Sequence, residues 1–469
     1  MQDLLNRRSK RALYNQRVNK KQRLTAPAVA AFLILSALLT IGFSPLFPLK
    51  ATTAALISQT ADLPGDRAAL KSRQIKSLQL KRTVLMPVLP EGLKPEVSLI
   101  ERASGRPTLQ NLPAFKKVFA GRSVGLTRDQ HVLFYTVDPE FQQAIERIVA
   151  GTRASHLAIT AIDPKSGRIL AISGKSRTIR NIELHAEFPA ASLFKLVTAS
   201  AALEKGVLNP ESEIKFRGGI YTLNSYNYRP SKRYDRRRMT LREALAHSCN
   251  PVFGRVALNY LSSDELRYYA NRFYFNRSLG FDVSMDMSTA SVPDQPYGLS
   301  RTAAGFGKVT ISPVHAASIM AAIANKGVLK RPYLIDNIFA ADGNSIYQTE
   351  PEQLGQMISP LTAKTLLDMM TETTISGTSS KEFARYKRPV LPGIQVAAKT
   401  GTLRGSNPPG LNRWFIAAAP AENPRIAISV IVVNPYRSKT RASAVGRRVL
   451  ETFFSLQKDR KTQPGTSGI

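Results

Sequence analysis

Cysteine is almost missing: Cys249 is the single one in 469 residues, which excludes an intrachain disulfide framework and a zinc site built from several thiolates. Histidine is scarce as well, with five residues dispersed along the chain and no HExxH spacing, so no resident metal is expected. Acidic side chains number 33 against 66 Lys+Arg, a formal net charge of +33. An excess of that size favours anionic partners: nucleic acid, phospholipid head groups or an acidic polymer. Clusters of Gly and Pro are absent, the 28 and 29 of them being scattered, and with 43% hydrophobic and 21% charged residues the composition excludes disorder of the whole chain.

Long apolar runs are also few, and the one present is informative. Residues 26–43 (APAVAAFLILSALLTIGF) carry no charge, about the ~20 residues that cross a bilayer at 1.5 Å per residue. Eight basic residues against Asp3 precede it within residues 1–24. The basic stretch is long, and the SPLFPLK that follows offers no small-x-small cleavage site, so an uncleaved anchor is expected rather than a signal peptide. Charge bias places residues 1–24 in the cytoplasm and the chain after residue 48 outside. Nucleic acid is then a poor partner for the remaining positive charge. The expected organisation is a basic cytoplasmic tail (1–24), a transmembrane anchor (25–48), an extracytoplasmic stalk or small module (49–130), a catalytic region (131–456) and a polar tail (457–469).

From residue 131 the patterns sharpen. VLFYTVDPEFQQAIERIVAG predicts a short strand, then a helix opened by Asp138-Pro139 and closed by Gly151. Residues 157–174 alternate around Pro-Lys-Ser-Gly as a hairpin, residues 414–435 read as another, and 443–456 as an amphipathic helix. Strands bracketing a mostly helical middle predict an α+β fold, an antiparallel sheet with helices on its faces.

In the middle, EFPAASLFKLVTASAALEKG predicts a helix starting near Ser192, with Pro189 suited to a first turn and Gly206 to the end. Ser192 and Lys195 then neighbour each other one turn apart, and Ser192 sits where free amides can stabilise an oxyanion. A serine nucleophile needs a base, and lysine serves if burial and a second cation lower its pKa. Ser-x-x-Lys alone carries little, since it recurs at 212/215 and 455/458, and Ser-x-Asn occurs at both 225/227 and 248/250. Lys399-Thr400-Gly401 occurs once, against a chance expectation of about 0.1 in such a chain.

Ser192-Leu-Phe-Lys195, Ser248-Cys249-Asn250 and Lys399-Thr400-Gly401-Thr402, in that order, resemble the penicillin-binding protein transpeptidase family, relatives of the serine β-lactamases. TLREALAHSCNPVFGRVAL, AAGFGKVTISPVHAASIMAAIANKG and AAKTGT followed by WFIAAAPAENPRIAISVIV are similar to the family's surroundings of those motifs, over residues 131–456. The resemblance implies the family's fold, with a mostly helical subdomain, and acyl transfer from a D-Ala-D-Ala stem peptide of peptidoglycan. It implies Ser192 as nucleophile, Lys195 as base, Ser248 as proton relay and Asn250 as binder of a substrate amide. Lys399, Thr400 and Thr402 would hold the terminal carboxylate beside Gly401, with the Ser192 and Thr402 amides as oxyanion hole. No cofactor is implied. Expected partners are stem peptides, β-lactam antibiotics, the membrane through one helix, and wall-synthesis proteins.

Residues 50–130 lack the Glu-Asp and Phe-x-x-His-Gly of a glycosyltransferase module, which points to a monofunctional enzyme, with carboxypeptidase side activity allowed; their shortness does not choose between elongation and division. A β-lactam sensor, a β-lactamase and a non-catalytic scaffold are the alternative readings. The Glu-x-x-Leu-Asn of one lactamase class is absent between Asn250 and Lys399. Cys249 reads as a small buried filler, His247 as an uninvolved neighbour of Ser248, and RPSKRYDRRR (229–238) as a solvated loop unless it grips an anionic polymer or lipid. Gly305-Phe-Gly307-Lys308 lacks the rest of a phosphate loop.

Overall fold

The structure, a computed structural model, describes residues 94–101, 106–385, 388–435 and 438–462. The expected cytoplasmic tail and membrane anchor lie outside the described residues; among those described, no helix is long and apolar enough to cross a membrane.

Asp138 opens helix α1 (Pro139–Gly151) by accepting a hydrogen bond from the Phe141 amide, with Pro at the first turn where its missing N–H costs nothing. The two predicted hairpins share one antiparallel sheet. Strands β1 (His156–Ile162) and β2 (Ile169–Ser176) form one, and β4 (Pro409–Ala419) and β5 (Ile426–Asn434) the other, after the longer β3 (Ala397–Ser406). Their order is β3-β4-β5-β1-β2, so β3, which carries Lys399, is an edge strand.

Every residue of β5 is buried because both faces of the sheet are covered, which is why its sequence is apolar without alternation. Ile426, Ile428, Val430 and Val432 join Phe415 and Ala417 beneath α1 and the C-terminal helix, residues Ala442–Thr462. Ala427, Ile431 and Val433 join Trp414 and Ile416 in the larger core on the other side. Ser429, the polar exception inside β5, donates to the Pro313 carbonyl at 2.6 Å. The helical middle packs on that second face: α2 (Lys195–Glu204), α3 (Asn250–Tyr260), α4 (Pro313–Ala324) and α5 (Pro360–Ile375), the C-terminal helix being α6.

One expectation, that Pro189 stands in a first helical turn, is corrected. Pro189 lies in a two-residue strand, Phe188–Pro189, paired with Val309–Ile311; its carbonyl is wanted there, accepting from Trp414 Nε1 at 2.9 Å. Residues 94–130, expected to be a stalk or small module, include strand Lys117–Phe119 paired with Arg122–Leu126, which in turn pairs with Val132–Tyr135. That strand pairs in turn with Ile335–Phe339, closing a five-stranded sheet over Val124, Leu126 and Phe134. The 130/131 division therefore cuts between neighbouring strands. At the other end α6 runs on to Thr462, past the expected start of a polar tail.

Candidate functional site

Ser192 sits in a 3-10 turn, Ala191–Phe194, that leads into α2. The turn is entered through Ala191 at φ +49°, a left-handed conformation that only close packing would hold in a residue with a Cβ. The packing is visible at Gly305. With φ +93°, an added Cβ there would fall 2.0 Å from the Ala191 carbonyl oxygen and 3.0 Å from the Ser192 nitrogen. The first glycine of the Gly-x-Gly segment thus lets a second loop press on the nucleophile's backbone.

Lys195, fully buried, donates from Nζ to Ser192 Oγ at 2.8 Å, to Asn250 Oδ1 at 2.7 Å and to the Ala304 carbonyl. Two of those acceptors are carbonyl oxygens and can only accept. A neutral amine has two N–H donors and one lone pair, so satisfying both carbonyls turns the lone pair toward the Ser192 hydroxyl. Burial, reinforced by the charge of Lys399, drives the Lys195 pKa well below its ordinary value. All three of its hydrogen-bond partners are neutral.

Asn250 is fixed at the start of α3: its amide nitrogen donates to the Ile220 carbonyl and its Nδ2 to the Tyr221 carbonyl, both at 2.7 Å. Ser248, two residues before, has φ +58°. Its Oγ accepts from Lys399 Nζ at 3.0 Å, and that ammonium donates also to the Thr400 carbonyl at 2.9 Å. Lys399 is fully buried, which lowers its pKa to about 7. The edge strand comes close to the nucleophile at Gly401, where an added Cβ would lie 3.4 Å from both the Ala190 carbonyl and Ala191 Cβ. Thr400 Oγ1 shares a 2.6 Å hydrogen bond with Thr378 Oγ1, and Thr402 is exposed. The three motifs thus converge on one cleft of about 420 Å³, which Ser192, Ser248, Asn250, Thr400 and Thr402 all line.

Sequence reasoning missed the Ala304 carbonyl, Thr378, Tyr221 and Arg413, which also serve or line the cleft. Only Arg413 left a readable signal, as the residue that a hairpin register would put opposite Thr402. The competing motifs separate. Ser212 Oγ caps a turn by accepting from the Asn209 amide, Ser455 is an exposed residue of α6, and Asn227 staples its own loop through Nδ2 to the Arg217 and Thr222 carbonyls. Cys249 points into the core, fully buried, and burial pushes its thiol up to about 11. A thiol so placed is poorly nucleophilic: the native protein should resist iodoacetamide at pH 8 and become alkylated in denaturant, which mass spectrometry of the Cys249 peptide checks. Within 229–238, Asp235 is drawn in between Arg217 and Arg255, both at 3.1 Å, while most of the basic residues around it stay exposed.

The penicillin binding protein transpeptidase domain matches residues 157–451. Peptidoglycan D,D-transpeptidase PbpA of Mycobacterium tuberculosis is 28% identical over 337 residues, 63% of this chain and 66% of that protein. The protein of the same name from Mycolicibacterium smegmatis is 30% identical over 261 residues, 52% of this chain and 50% of the relative. The chain thus spans half to two thirds of the length of these curated relatives. Among solved structures, the penicillin G acyl-enzyme complex of penicillin-binding protein A from M. tuberculosis superposes with TM-score 0.55 at 26% identity, covering 71% of this chain and 81% of that one.

Proposed function

The chain belongs to the penicillin-binding protein transpeptidase family, and from that premise we propose that it is a serine D,D-transpeptidase that cross-links peptidoglycan stem peptides and is acylated by penicillin. The observation that carries this reading is Lys195, buried with no carboxylate partner among the described residues and 2.8 Å from Ser192 Oγ. Ser192 attacks the penultimate D-Ala carbonyl as its proton passes to Lys195. The oxyanion is met by the Ser192 and Thr402 amides. As the C–N bond breaks, Ser248, hydrogen-bonded to Lys399, relays a proton to the departing D-Ala amine. Lys399, Thr400 and Thr402 hold the terminal carboxylate, and Asn250, anchored through Tyr221 and Lys195, orients the peptide. A neighbouring stem peptide's amine then attacks the ester, gives its proton to Lys195 and frees Ser192.

We also propose that residues 26–43 anchor the protein in the cytoplasmic membrane and that the catalytic domain faces outward, where peptidoglycan lies. Wall-synthesis proteins are its natural partners there.

Transpeptidase is favoured over β-lactamase because no Asp, Glu or His is among the described residues lining the cleft, so a water that enters it meets no carboxylate or imidazole base. Penicillin should therefore be trapped at one equivalent per chain, with negligible turnover. Mass spectrometry of the intact adduct over an hour, beside a chromogenic cephalosporin assay, checks this. Sustained hydrolysis at many turnovers per minute would assign the protein to the lactamases.

A further inference from the structure

One end of the cleft is basic in a way that the catalytic steps leave unused. Arg413 on β4 stands directly opposite Thr402 on β3, so the two side chains leave the same face of the sheet, and both line the cleft with Arg441 and the first residues of α6. Arg413 Nη2 donates to the Ser438 carbonyl at 3.0 Å, while Nη1 is buried with no hydrogen-bond partner among the described residues. Arg441 has a counter-charge in Glu382 at 2.8 Å; among the described residues Arg413 has only the neutral carbonyl. Burial and the neighbouring Arg441 both pull the Arg413 pKa below the usual guanidinium value, the mark of a cation set beside another cation and short of an anion. The first turn of α6 carries no acidic residue either, so the partial positive charge of that helix end adds to the same corner.

A buried, unpaired guanidinium N–H is costly unless something arrives to accept from it. We propose that Arg413, supported by Arg441 and the start of α6, binds a carboxylate of the stem-peptide substrate and is a specificity-determining residue of this cleft. The inference rests on the transpeptidase reading and adds a carboxylate contact beyond Lys399, Thr400 and Thr402. The carboxylate has two sources: the terminus of the departing D-alanine, which lies nearest Thr402, or a side-chain carboxylate elsewhere in the peptide. Either accepts two parallel N–H bonds from the planar guanidinium.

The test measures the rate constant for acylation of Ser192 in the purified full chain with two matched pairs. One pair is benzylpenicillin and its methyl ester, which blocks the carboxylate that stands for the D-alanine terminus. The other is a stem-peptide thioester with its side-chain carboxylate free or amidated. Each preference is a ratio within one variant, so a partly unfolded preparation leaves it unchanged. Arg413→Gln should lower the preference for the free carboxylate about ten- to a hundredfold in at least one pair, the worth of a charge-assisted hydrogen bond, and the pair affected identifies the source. Arg441→Gln should lower the same ratio less. Ratios within twofold of the unsubstituted protein in Arg413→Gln overturn the proposal. If that variant does not fold, Arg413→Lys, which keeps the charge and loses the fork, and Arg441→Gln carry the same readout, and unchanged ratios in both overturn it. Absence of any acylation of the unsubstituted protein at Ser192 would instead overturn the transpeptidase reading.

Discussion

Replacing Ser192 with Ala removes covalent labelling by a fluorescent penicillin altogether, a loss on the order of 10⁴-fold or more in acylation, while Ser212→Ala and Ser455→Ala label like the unsubstituted protein. The contrast follows from where each hydroxyl sits. Ser192 Oγ is half-buried in the cleft and touches a lysine that burial has stripped of its proton affinity. Ser212 Oγ is committed to the Asn209 amide, with Lys215 exposed on the following strand. Ser455 and Lys458 are exposed residues of α6 and line no part of the cleft. Peptide mapping of the adduct reads the site directly. Labelling that survives in Ser192→Ala would mean that another nucleophile carries the chemistry and that the convergence of the three motifs serves something else.

The parts of this fold that were legible in the sequence are those whose signal is local. Asp138-Pro139 announces α1 because a cap and an N1 proline act within one turn. The alternation around Pro-Lys-Ser-Gly announces the β1–β2 hairpin, since its two strands are neighbours in sequence. Strands Lys117–Phe119 and Arg122–Leu126 were legible only as short pieces of a stalk or small module, because Ile335–Phe339, which continues their sheet, is about two hundred residues away, and short strands alone carry little hydrophobic pattern. The same distinction holds in the cleft. Ser192, Lys195, Ser248, Asn250 and Lys399 are type-specific chemistry at fixed spacings, so motifs expose them. The Ala304 carbonyl is a backbone group, available at any residue, and Thr378 works through a hydroxyl contact with Thr400 that only the packing of α5's end against β3 creates. Pro189 misled for a related reason: proline is compatible with a helix start and with a short strand, and the Trp414 indole that decides between them lies 225 positions away.

Two lysines of opposite duty should answer differently to the same substitution. Lys195→Arg is expected to lose about 10³-fold in acylation, because general-base catalysis is worth about 10²–10⁴ and a guanidinium cannot give up its proton near neutral pH. Steric fit compounds the loss, since the three hydrogen-bond partners of Lys195 close around a single nitrogen. Lys399→Arg should cost only about tenfold, because its partners, Ser248 Oγ and the Thr400 carbonyl, are acceptors that a guanidinium can also satisfy. The pH profile separates the roles further. Activity requires Lys195 neutral and Lys399 charged. Burial and the charge of Lys399 together lower Lys195, whereas burial alone lowers Lys399, so Lys195 loses its proton first as pH rises. The acylation rate of the free enzyme should therefore rise as Lys195 deprotonates and fall as Lys399 deprotonates near pH 7. The two limbs belong to the coupled pair rather than to either residue alone. In Lys399→Arg the cation at that position no longer titrates, so the alkaline fall should disappear while the acid limb remains. Stopped-flow acylation by a chromogenic β-lactam between pH 5 and 10 measures both limbs. Equal losses in the two variants, or an alkaline limb that persists in Lys399→Arg, would show that base and anion-binder have been assigned to the wrong lysines.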